Sequence, residues 1–218
     1  MEEIFKLTEA SVSKDFLSES SGHDINHLKR VFNIALHLQS VEGGDRLVVG
    51  VSALLHDVHR LIKPIGNKVF TPEESLPKIR QILDNLNLTE EQKQKILNSV
   101  QFHENYNFAN KEKISLDIET QIIQDADRID AIGAIGVARC FTYCGHHNLP
   151  MWIPELAPDE KGYDSSKNDP SGIHHFYSKL LKLGGDMNTE TGREIAKSRH
   201  EFTKHFLDRF LREWDGLD

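Results

Sequence analysis

Residues 51–63 read VSALLHDVHRLIK, an apolar run that finishes on two adjacent, strongly hydrated side chains, His56 and Asp57. Upstream the run is nearly continuous in apolar residues from Leu47, and Asp45 is placed to cap a helix through about Arg60. A helix without a polar face has to be covered on all sides, so it is expected to be the central element of an all-α bundle. Working outward, Val31, Ile34, Ala35 and Leu38 follow the i, i+3, i+4, i+7 pattern of a preceding helix that Gly43 and Gly44 end. Downstream, Pro64, Gly66 and Pro72 mark a loop. Thr71 with Glu74, and Thr89 with Gln92, then form two capping-box signatures that open further helices, the second running towards His103.

Past a polar loop, the spacing of apolar residues from Leu116 to Cys144 predicts one long, central helix, with Gly133 and Gly136 permitting a close neighbour. The irregular, proline-rich stretch 145–172 is expected to be a surface excursion of the kind that covers a site. Helical signals return at SGIHHFYSKLLKL (171–183), and Thr189 leads into a last helix through Phe202, Phe206 and Phe210. The expected architecture is a single domain over residues 1–218, an all-α bundle of about seven or eight helices.

Composition narrows the function. The net charge of −8, with no clustered basic tract, disfavours duplex nucleic acid but leaves room for a small phosphorylated ligand. No apolar stretch approaches the roughly 20 residues that span a bilayer. The acidic start MEEIFKLTEASVSKDF has no export signature, so a cytoplasmic location is expected. Cys140 and Cys144 match no CxxC motif and read as small buried hydrophobes. The Phe-rich last helix fits a homodimer contact or packing within the bundle equally well.

Chemistry is carried by polar residues on core faces. His27 lies on the inward stripe of its helix, His56 and Asp57 end the central one, and Asp125, Asp127 and Asp130 interrupt another. Such groups converging in a core call for a compensating charge, and a divalent metal in mixed imidazole and carboxylate coordination supplies it. Asp125 and Asp127 lie about 200° apart around a helix, so they cannot both face one ion, and periodicity does not choose between them.

In chain order, GHDINHLKRVFNIA, ALLHDV, QIIQDADRIDAIGAIGVAR and HHFYSKLLKLGGDMNTETGREIAKSRHEF resemble the HD-domain metal-dependent phosphohydrolases, specifically a single-domain subgroup that includes bacterial nucleotide pyrophosphohydrolases. The resemblance implies a helical HD-domain fold and His27, His56, Asp57 and Asp127 as metal ligands. Asp125 and Asp130 would then support the ligands or the helix packing. It further implies one divalent transition metal, Mn first, with Fe, Co, Ni, Zn or Mg as alternatives. Catalysis would involve Asp57 and also His103, as general acid or phosphate donor. Arg128, Lys179 and Lys182 would neutralise substrate phosphate. The implied activity is hydrolysis of a nucleotide or related phosphate compound, most specifically release of pyrophosphate from a nucleoside triphosphate. A 5′-nucleotidase, a phosphodiesterase and a nucleotide-sensing module without turnover are the alternatives. His23 and Asp24 read as caps of the first motif helix. Arg60 stands where many members of the family carry an acid that helps bind a second metal, which favours a mononuclear site; its neighbour His59 could face the pocket or sit at its rim.

Overall fold

The computed structural model describes residues 1–62, 71–109, 115–159, 163–164 and 167–216. Among these the chain is all-α, with no strand. Its long helices are α1 (Glu2–Phe16), α2 (Ile25–Glu42), α3 (Arg46–Leu55), α4 (Pro72–Asp84), α5 (Glu90–Phe102), α6 (Ile118–Asp130) and α7 (Gly133–His146). Short turns α8 (Gly172–His175) and α9 (Leu181–Leu183) flank a π-helical turn, Phe176–Leu180, and α10 (Glu190–Trp214) closes the chain. The expected loop around Pro64 and Gly66 lies outside the described residues.

The caps form where the sequence places them. Asp24 accepts from the His27 amide at 2.9 Å, Asp45 from the Leu47 amide at 2.8 Å, and Thr71 and Thr89 complete capping boxes with Glu74 and Gln92. Each cap satisfies an amide left free by the first helical turn.

The apolar circumference of α3 has a direct cause. Two clusters of buried side chains share the helix: Val49 and Ala53 pack with α2, α6, α7 and α10, whereas Val48, Val51, Leu54 and Leu55 pack with α1, α4 and α5. Every residue from Val48 to Leu55 is buried. The helix nevertheless stops at Leu55, short of the expected Arg60. His56 is its C-cap, Asp57 has φ −95° and ψ 12°, and Val58–Leu61 continues as a 3₁₀ turn. Leaving α-helical geometry at this point lets two adjacent side chains, about 100° apart on a regular helix, aim at one spot.

The single helix expected over residues 116–144 is two. Gly133, at φ +77°, breaks it in the left-handed region that L side chains avoid, and its amide donates to Thr203 Oγ1 at 2.8 Å. The backbone of Ala131 packs so tightly on Gly136 that a side chain there would collide with it. These glycines make a corner, which turns α7 back along α10.

Candidate metal centre

Three elements bring their polar residues to one point. α2 supplies His27, the end of α3 supplies His56 and Asp57, and α6 supplies Asp127. His27 Nε2 lies 3.1 Å from His56 Nε2, 3.2 Å from Asp57 Oδ2 and 3.5 Å from Asp127 Oδ1; His56 Nε2 is 3.7 and 3.8 Å from the same two oxygens. Donors about 2.1 Å from a common ion are separated by about 3 Å when cis, so these spacings fit the edges of one coordination shell. His27, His56 and Asp57 are buried, and Asp127 is 16% exposed at its side chain, the open edge of the cluster.

The rings are oriented from behind. His56 Nδ1 donates to the Ala53 carbonyl at 2.8 Å, and His27 Nδ1 to Asp130 Oδ2 at 2.8 Å, so both Nε2 atoms face the cluster. Asp130 is itself held by Arg30 at 2.8 and 3.0 Å and by Arg139 at 3.2 Å. A carboxylate behind a ligating imidazole fixes its tautomer and raises its basicity. Asp130→Asn is therefore expected to weaken metal binding by about 10- to 100-fold with the fold retained, as read by isothermal titration with Mn²⁺; an unchanged affinity would remove Asp130 from this role.

The charges are balanced within the cluster. Burial opposes ionisation of Asp57, but the imidazoles of His23, His56 and His27 hold its carboxyl well below the usual range. Burial lowers His56 to about 4, so it is neutral at ordinary pH. For His27, burial and Arg139 push down, yet hydrogen bonds to Asp130 and Asp57 leave it raised. The positive charge that these donors call for is met either by a proton on His27 Nε2 or by a cation at their centre. The residues fit a divalent metal ion.

Other expected site residues fall differently. Asp125 points away from the cluster and accepts four hydrogen bonds, from the Asn188 amide and Nδ2 and the Thr189 amide and Oγ1, at 2.7–2.9 Å. It anchors the start of α10. Arg128 is 1% exposed and bonds to the Asp186 carbonyl and, at 2.8 Å, to the Asn105 carbonyl, so its guanidinium is occupied in the core and does not reach a substrate. Lys182 Nζ rests 5.5 Å from the Phe108 ring centre and stays outside the cavity wall. His103 is buried beside the cluster, with Nδ1 donating to the Val100 carbonyl at 2.7 Å and Nε2 3.9 Å from Asp57 Oδ1. His23 is not a cap: its Nδ1 bonds Asp57 Oδ2 at 2.6 Å, and burial lowers it to about 3. Cys140 and Cys144 are free and buried.

A cavity of about 660 Å³ opens onto Asp127, walled by His23, Arg60, Arg139, Tyr143, Tyr163 and Lys179 among others. Asn168, Asp169 and Ser171 of the proline-rich stretch line it, so that excursion does cover the site. Lys179 projects from the π-helical turn, and its Nζ sits 4.7 Å from the Tyr106 ring centre and 5.4 Å from that of Tyr163. Burial opposes its charge, but the two tyrosines and Glu104 raise its pKa. Sequence reasoning missed Arg139 and Arg60 at this wall, since a charged residue on a helix is by default a solvated one.

Comparisons with known proteins agree with this geometry. The HD domain family model matches residues 24–132, a span that contains all four converging ligands. YpgQ, an uncharacterized protein of Bacillus subtilis, is 32% identical over 203 residues, covering 92% of this chain and 88% of its own length. Its crystal structure in complex with ADP superposes with a TM-score of 0.70 at 27% identity, covering 98% of this chain and 95% of that one. A Lactobacillus plantarum crystal structure matches with a TM-score of 0.85 at 30% identity over 99% of both chains. A Bacillus thuringiensis structure described as an HD-superfamily hydrolase matches at 0.72 and 32% identity over 98% of both.

Proposed function

Since the chain belongs to the HD domain family, we propose that it is a metal-dependent phosphohydrolase acting on nucleotides, most specifically one that cleaves a nucleoside triphosphate to release pyrophosphate. The observation that carries this reading is the convergence of His27, His56, Asp57 and Asp127 at the floor of a cavity large enough for a nucleotide. The ADP complex of YpgQ supports the choice of ligand class.

His27, His56, Asp57 and Asp127 would hold the ion. A divalent metal bound there supplies Lewis-acid charge to a phosphoryl oxygen and a more acidic water. The remaining work falls to side chains of the protein. Lys179 and Arg139 present fixed positive charge to the polyphosphate, where preorganised cations stabilise charge as it develops. His103, its Nδ1 committed to Val100, has Nε2 free to carry a proton to the leaving oxygen. Tyr143 and Tyr163 give the cavity an apolar, aromatic wall for a base or sugar and limit the entry of water.

Metal binding should be linked to one proton. The raised pKa of His27 means that its Nε2 is protonated near neutral pH, whereas His56 is neutral down to about pH 4. Loading the site displaces the His27 proton, so affinity is full above that pKa and falls about tenfold per pH unit below it. Calorimetric titration with Mn²⁺ in buffers of different ionisation enthalpy should give release of up to one proton per ion. Release of two would show His56 to be charged as well.

The functional reading is tested by an activity screen crossing Mn²⁺, Co²⁺, Ni²⁺ and Mg²⁺ with nucleoside mono-, di- and triphosphates, with separate detection of pyrophosphate and orthophosphate. Pyrophosphate from a triphosphate is the expected product. Orthophosphate alone from monophosphates would replace it with a 5′-nucleotidase, and metal binding without turnover of any substrate would leave a sensing module.

A further inference from the structure

Behind Asp57, on the side away from His27, lies a second group of donors that the first site does not use. Asp57, His59 and Glu104 each offer a ligand atom, and the three atoms lie within 4.8 Å of one another. His59 is 1% exposed; its Nδ1 faces the His56 carbonyl at 3.3 Å, which leaves Nε2 turned towards Glu104 Oε2, 3.9 Å away, with no hydrogen-bond partner. A buried ring nitrogen left without a partner costs free energy that some other contact must return. Two carboxylates and a bare imidazole nitrogen form a mixed N/O set suited to a divalent transition metal.

A cation already stands there. The Arg60 guanidinium is ion-paired through its terminal nitrogen to Glu104 Oε1, and its Nε lies 3.5 Å from Asp57 Oδ1. It meets both acids but has no acceptor group for the His59 ring to donate to and no empty orbital for its lone pair. A guanidinium therefore satisfies the charge of this pocket and leaves its nitrogen donor idle, whereas a metal ion would use all three groups.

We propose that Asp57, His59 and Glu104 are a second divalent-cation site whose ion is replaced in this chain by the side chain of Arg60. Asp57 would bridge the two sites, with Oδ2 turned to His27 and His56 and Oδ1 turned to Arg60. The native protein then takes up one ion per chain, and its single-metal character is set by Arg60. The inference rests on the metal centre proposed above, because Asp57 belongs to both.

The test is metal stoichiometry, measured by equilibrium dialysis against Mn²⁺ followed by elemental analysis, with electron paramagnetic resonance of the loaded protein. The native chain and Arg60→Lys are expected to bind one Mn²⁺ with an isolated-ion spectrum. Arg60→Gln should bind two and show the exchange coupling of ions that share a carboxylate; Arg60→Ala serves the same purpose should the amide variant not fold. Adding His59→Ala to Arg60→Gln should return the count to one. Two ions in the native chain, or one in both Arg60→Gln and Arg60→Ala, would overturn the proposal. No ion in the native chain would instead overturn the primary metal centre, which keeps the two failures apart.

Discussion

Asp57→Ala is expected to remove bound metal and to lower nucleotide hydrolysis by about 10³-fold or more, because no other side chain touches so much of the site. Its Oδ2 contacts His23 at 2.6 Å, His27 at 3.2 Å and His56 at 3.7 Å, while its Oδ1 faces Arg60 at 3.5 Å and His103 at 3.9 Å. Removing it takes away a ligand and also the charge against which three imidazoles and a guanidinium are arranged. Elemental analysis of the purified variant and a steady-state assay decide the matter. Native metal content together with native turnover would mean that the hydrolytic centre is elsewhere.

Asp125→Ala should do the opposite, costing about 3–5 kcal/mol of stability while the folded fraction keeps its metal. The carboxylate is fully buried, and four donors at the beginning of α10 depend on it; truncation leaves the Asn188 and Thr189 amides without acceptors. For a chain of this size that loss corresponds to a fall in Tm of roughly 10 °C. Thermal unfolding of the apo-protein, with metal stoichiometry measured below the transition, separates the two aspartates. Asp127→Ala is expected to show lost metal and little loss of stability. If Asp125→Ala lost its metal with Tm unchanged, the assignment of the two residues would be reversed.

That contrast also shows what could be read from the sequence. Helix starts were legible because Asp24, Asp45, Thr71 and Thr89 act within three residues of themselves, and their hydrogen bonds need no tertiary context. The all-α fold and the core faces of α2 and α3 followed from periodicity. The choice between Asp125 and Asp127 did not, because α6 is buried nearly all round and each aspartate meets a different partner from far along the chain. The corner at Gly133 was hidden for a related reason: its glycines suit a close neighbour and a break equally well until the position of Thr203 is known. Arg128 and Lys179 are both basic residues on helical stretches. One is tied to backbone carbonyls from two loops, and the other is turned into the cavity by a π-helical turn that no 3.6-residue pattern announces.

The separation of the ligands along the chain bears on how the site is assembled in time. His27 and His56 are 29 residues apart, and His27 and its supporting Asp130 are 103 apart. Contacts that close loops of such length form only after the helices between them have docked, so the donor cluster is absent from early folding intermediates. An ion can then neither nucleate the fold nor speed its formation. It can only hold the finished structure together, and chelation should leave the refolding rate unchanged while the unfolding rate rises.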